Sequence, residues 1–140
     1  MKSDLPDRTF AFAERIVRLC MAFESKGKVS ATLANQLLRS GTSVGANVEE
    51  AQASQSNKDF VHKYSIACKE ARETHYWLRL LSATELLPAA RLEPLTVEAD
   101  GVFGIVRKWN VTRFRMHTHE VTTAGLEVGP PFRNVKNGIA

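Results

Sequence analysis

Phe12, Ile16, Leu19 and Phe23 recur at the spacing of one helical face, with Ala13, Val17 and Cys20 beside them. Arg8, Glu14, Arg15 and Arg18 take the remaining surface, so the pattern predicts a helix over about Asp7 to Glu24. Lys26-Gly27-Lys28 supplies a stop, because glycine tolerates the left-handed conformation that ends many helices. A second helix is expected to open at Ser30, a favourable N-cap residue, and to face inward through Leu33, Leu37, Val44 and Val48. Gly41 and Gly45 interrupt it, each at a cost of about 1 kcal/mol relative to alanine. The apolar spacing nevertheless resumes in phase after them. The helix is therefore expected to continue, bent, with Ser40, Ser43 and Ala46 admitting another helix at close range.

The third helix has the strongest pattern. Phe60, Tyr64, Ala67, Ala71, Thr74, Leu78 and Leu81 keep a heptad-like rhythm from Ser56 or Asn57 towards Leu87, where Pro88 sets a boundary. Ile66, Cys68, Trp77 and Leu80 widen its apolar surface. A fourth helix is predicted between about Leu92 and Trp109, carried by Leu95, Ala99, Val102, Val106 and Trp109 and weakened by Gly101 and Gly104. Beyond Asn110 the periodicity fades, and Val111–Met116 reads as either a helical extension or a short strand. Glycines and Pro130-Pro131 then mark a mobile appendage. Four helices with short links predict an all-α, antiparallel up-and-down four-helix bundle over residues 1–110 and a basic extension over 111–140.

Charge sharpens that division. The chain has 140 residues and a net charge of +4. Residues 1–100 carry thirteen basic and thirteen acidic side chains, so the whole excess lies in 101–140. Composition excludes a disordered chain, and no apolar run is long enough to span a bilayer. No apolar run follows Lys2 either, so a signal peptide is not expected and the predicted setting is cytoplasmic. Cys20 and Cys68 sit in apolar helical patterns and read as free, buried thiols.

Three segments carry a resemblance to a known family. They are Phe10–Leu19, Leu37–Glu50 (with its Arg-Ser-Gly-Thr-Ser-Val-Gly-Ala-Asn core) and Phe60–Leu81. In this order and spacing the chain resembles the bacterial 23S rRNA intervening-sequence protein family over roughly residues 7–108. The resemblance implies a four-helix bundle commonly assembled into a ring-like pentamer. Some relatives are encoded within insertions in 23S rRNA genes, and related accessory proteins of retroelements assist a reverse transcriptase through protein and nucleic-acid contacts. The family offers no catalytic residues to carry over. Val48-Glu49-Glu50-Ala51 departs from the Ala-Glu-Gly element of many relatives, and the chain after Trp109 has no counterpart.

Candidate chemistry is sparse. Arg39, Asn47, Glu49, Glu50, Glu70 and Glu73 form the polar group of helices two and three, and their ordinary role is in ion pairs within the bundle or between subunits. Arg39 is expected to pair with Glu49 or Glu70. A di-metal bundle needs two Glu-x-x-His elements, whereas Glu73-Thr-His75 places its histidine too early. His62, His75, His117 and His119 make no ligand set, and Ser40 and Ser43 lack an activating His/Asp arrangement. Gly41-x-x-x-Gly45 has neither the lysine of a phosphate loop nor apolar membrane flanks. No enzyme activity and no cofactor or metal is expected. Tyr64, Tyr76 and Trp77 read as core or subunit packing, and the broad apolar surface of Tyr76–Leu81 implies a homo-oligomer. Arg107, Lys108, Arg113 and Arg115 are the candidate contacts to RNA or DNA, repeated around an oligomer. The expected partners are therefore further copies of the chain, with nucleic acid and another protein as alternatives, and no membrane.

Overall fold

The computed structural model describes residues 4–123. Four helices follow one another: α1 (Leu5–Phe23), α2 (Lys28–Gln52), α3 (Asn57–Ala83) and α4 (Ala89–Thr123). A short 3₁₀ turn, Glu24–Lys26, joins the first two. Each helix packs on its neighbours in sequence, and α4 closes back on α1. The all-α four-helix bundle expected from the hydrophobic pattern is the fold observed.

Local chemistry explains most of the boundaries. Gly27, at φ 141°, adopts a backbone conformation that side-chain-bearing residues rarely reach, and it serves as the N-cap of α2. Its carbonyl accepts from the Ala31 N–H at 2.9 Å. Ser30 is consequently inside the helix and buried rather than capping it, a correction to the sequence reading. Ser56 does cap α3, its hydroxyl accepting from the Asp59 N–H at 3.1 Å. Helix α3 ends at Ala83, short of Leu87, because Glu85 turns to φ 56°. Leu87 is buried all the same, so its apolar character reported burial and not helicity.

The fourth helix differs most from expectation. It starts at Ala89, directly after Pro88, and runs on through Pro94 and past Asn110 to Thr123. The fading pattern after Trp109 therefore marks the end of burial, not the end of the helix: Val106 is the last buried α4 residue whose side chain is described. Trp109 itself is 39% exposed and does not join the core. Residues 111–123 form the helical extension and no strand. Of the appendage expected from Thr122 onward, Thr122 and Thr123 are helical, and the remainder lies outside the described residues.

The core divides into two clusters. One contains Phe12, Ile16, Leu37, Leu78 and Leu92 with their neighbours, the other Leu5, Val44, Val48, Tyr64 and Val106 with theirs. Between them lies a layer of small and hydroxylated side chains: Thr9, Ser40, Gly41 and Thr74, all buried. Thr74 Oγ1 lies 3.0 Å from Ser40 Oγ and 2.7 Å from its own helix's Glu70 carbonyl, while Ser40 Oγ donates to the Leu37 carbonyl. Thr9 Oγ1 is matched by the Pro6 carbonyl at 3.1 Å. The buried hydroxyls are thus satisfied, as the low-polarity surroundings require.

Gly41 and Gly45 sit in this region for a steric reason. A Cβ at Gly41 would stand 2.8 Å from Ile16 Cγ2, and one at Gly45 would stand 3.2 Å from the Thr9 carbonyl oxygen. Helix α1 passes so close to α2 that a Cβ at Gly41 would displace Ile16, and one at Gly45 would press on the α1 backbone. Helix α2 accordingly continues unbroken through both glycines.

Candidate functional site

The polar residues singled out on α2 and α3 fall into distinct roles. Arg39 bridges to Glu70 at 3.3 Å and also pairs with Glu73, which accepts a further bond from Trp77 Nε1 at 3.2 Å. Glu49 is exposed and takes no part in that network. Glu50 instead pairs with Lys63 at 2.6 Å, across the α2–α3 turn, and this contact raises the lysine's affinity for its proton. Asn47 donates to the Ser43 carbonyl of its own helix at 2.8 Å. The six residues therefore do not converge on one reacting centre.

One pair escaped the sequence reading. Arg8 grips Glu98 through two bonds of 2.7 and 3.0 Å and so closes the α1–α4 seam. The Glu98 contact also raises the Arg8 pKa further. Ninety positions separate the two residues. Local periodicity carries no signal of such a partner.

The basic residues of α4 also separate. Arg107, Lys108 and Arg115 are exposed. Arg115 follows Lys108 by seven positions, so these two lie along one outward strip of the helix, and Arg107 stands beside it about a quarter turn away. Arg113 turns instead to α3: its guanidinium covers the Phe60 ring at 4.6 Å and donates to Asn57 Oδ1 at 3.0 Å. Nearby, Asn110 Nδ2 donates to Ser65 Oγ at 3.0 Å. These contacts hold α4 against the start of α3.

Exposed apolar side chains form a second surface. Phe10 (61% exposed), Val17 and Met21 (68%) follow one another along the outer face of α1, where they line a shallow groove with Ala13, Glu14 and Arg18. Tyr76, Val97 and Val29 are exposed on the other helices. Tyr64 is buried with its hydroxyl bonded by Gln52, and Trp77 packs against the core, as their spacing suggested. Tyr76 does not.

Among the described residues no group of three or more His, Cys, Asp or Glu side chains is placed to hold a metal ion. No described helix is long and apolar enough to cross a membrane. Cys20 is buried and Cys68 half-buried, and burial pushes both thiols up to about 11.

Comparison with known proteins agrees with the geometry. Residues 2–108 match the family described as 23S rRNA-intervening sequence protein. A similar solved structure is that of a protein of unknown function from the S23 ribosomal protein family of Bacteroides thetaiotaomicron VPI-5482. It is 39% identical, with a TM-score of 0.70, over 76% of this chain and 97% of that one. No curated protein matches the chain. With the bundle, the helix order and the matched span in agreement, the chain belongs to the 23S rRNA-intervening sequence protein family.

Proposed function

We propose that the protein is a non-catalytic scaffold that works in the cytoplasm as a homo-oligomer, with a ring-like pentamer implied by the family resemblance. The observation that carries this reading is the exposed apolar strip Phe10, Val17 and Met21. Large apolar side chains aligned along one helix face mark an interaction surface. Glu14 and Arg18 flank the strip with opposite charges, which suits contact with a second copy of the same chain. Light scattering tests the reading. The native chain is expected to give a multiple of 15.6 kDa, and Phe10→Asp with Met21→Asp is expected to reduce it to the monomer with its helix content intact. A monomeric native chain overturns the proposal.

A second reading rests on a different surface. Arg107, Lys108 and Arg115 have no acidic ion-pair partner among the described residues. In an oligomer the strip is repeated once per copy, and such focusing favours phosphate backbones. On this reading residues 111–140 act as the extension that presents charge to RNA or DNA, and a protein that handles nucleic acid is the fitting further partner. Binding to RNA and to duplex DNA, titrated at several salt concentrations, is expected to weaken as salt rises. It is expected to fall when all three residues are changed to Gln. No binding at low salt by the assembled native protein removes this reading.

A further inference from the structure

The turn between α2 and α3 borders a polar cavity of about 370 Å³. Neither the apolar strip nor the exposed basic strip uses it. Gln52, Ser54, Ser56, Asn57, Phe60 and Arg113 line it, and no carboxylate does. Its volume falls within the range of small-molecule sites.

Arg113 is held in place there. The Phe60 ring supports the face of its guanidinium, and Asn57 Oδ1 takes one of its N–H groups. A guanidinium carries five donors in a fixed fork, so most of its edge remains available for an acceptor. No ion pair neutralises it among the described residues. Ser54 supplies an independent sign: its hydroxyl is buried without a hydrogen-bond partner, a costly arrangement unless an acceptor is reached by rotation about χ1.

Much of the remaining lining offers donors, the exception being the Gln52 amide, whose Nε2 is already bonded to the Val48 carbonyl and Tyr64 Oη. The Asn57 side-chain oxygen is occupied by Arg113, and the Ser56 oxygen by the Asp59 N–H. Helix α3 also starts here, and the N–H groups of its first turn have no partners within the helix beyond that cap. Their dipoles favour a negative group at the same place. Donors distributed around a cavity, with one fixed cation and no acid, suit a ligand with several charged oxygens better than a planar carboxylate.

We propose that this cavity binds a phosphate group, with the edge of Arg113 as its main anchor and Ser54 and the first turn of α3 as further donors. The group is either free phosphate or the phosphate of a small monoester, since both present the same oxygens. This inference is independent of subunit assembly and of the exposed strip on α4.

The test is a titration of the full chain at low salt with sodium phosphate, AMP and adenosine, against sodium chloride at matched ionic strength. It is followed through the amide signals of residues 54–58 and the Arg113 Nε–H in a proton–nitrogen NMR spectrum. Phosphate is expected to give saturable shifts there, and adenosine and chloride none. Saturation by AMP as well assigns the site to monoesters, whereas phosphate alone assigns it to the free ion. Arg113→Lys is expected to weaken binding about tenfold, as the fork is lost, and Arg113→Gln to abolish it. Arg91→Gln, at the far end of α4, is expected to change nothing. Because Arg113 also holds α4 to α3, Ser54→Ala provides a second variant, expected to weaken binding about threefold with the native spectrum retained. Absence of saturation in the native chain, or undiminished affinity in Arg113→Gln, overturns the proposal.

Discussion

Arg39 serves two acids at once, and Glu73 in turn serves Trp77. The arginine side chain is half exposed, so water and salt screen much of the attraction. Arg39→Ala is expected to cost about 1 kcal/mol in urea unfolding, and the loss is expected to shrink in concentrated salt. The two thiols give a pH signature. Desolvation is the main cause at both, reinforced by Glu24 at Cys20 and opposed by Arg107 at Cys68. Each folded thiol keeps its proton to about pH 11, whereas the ordinary value is 9.0. Between those values the folded chain binds more protons than the unfolded one, so stability is expected to fall as pH rises from about 9 through 11. The raised Tyr64 value acts in the same direction. Replacing both cysteines with Ala and repeating the urea series across that range is expected to flatten the decline. Of these residue-scale features, the sequence offered Glu49 or Glu70 as a partner for Arg39, and only the packing of α2 on α3 selects Glu70 and adds Glu73. The sequence offered Arg113 as a nucleic-acid contact, with no sign of its stacking on Phe60, which depends on how far α4 overlaps the start of α3.

At the scale of the elements, two glycine substitutions separate packing from propensity. Gly41→Ala gains about 1 kcal/mol of helix propensity but drives a methyl group into Ile16, a buried and branched neighbour. Overpacking of this kind costs about 1–3 kcal/mol, so the net effect is expected to be destabilising. At Gly104 a Cβ meets nothing within 4 Å. Gly104→Ala is therefore expected to raise stability by up to about 1 kcal/mol. Thermal unfolding of both variants checks the opposite signs. The same contrast explains what the pattern could and could not reveal. Helix α2 was legible through its glycines because Val44 and Val48 kept the phase. The length of α4 was not, because among the described residues no side chain after Val106 joins the core, and such a stretch has no need of an apolar period. Leu87 shows the converse, since a residue just outside a helix can still be core.

For the whole molecule, the question is whether two core clusters separated by hydroxyls behave as one. All four helices contribute to both clusters, so neither half can unfold without disturbing every element of the other. Unfolding is expected to be a single transition. Trp77 packs against one cluster and Trp109 lies just past Val106 of the other, so they report on opposite halves. Trp77→Phe leaves one reporter and Trp109→Phe the other. Each variant's urea curve by fluorescence is expected to coincide with its own curve by circular dichroism, and a displaced curve would reveal a half that opens alone. The bundle itself was readable from four apolar faces and short links. Its division was not, because Ser40 and Thr74 could be placed on inward or close-packed helix faces, but nothing in the spacing sets them level with Thr9 before three helices come together. That level acts as an index mark. Leucines and valines slide past one another at little cost, but a helix displaced by one turn would set its hydroxyl among hydrocarbon and break the match at the centre. The layer thus spends little on strength and much on alignment: it tells each helix where along its neighbours to stop.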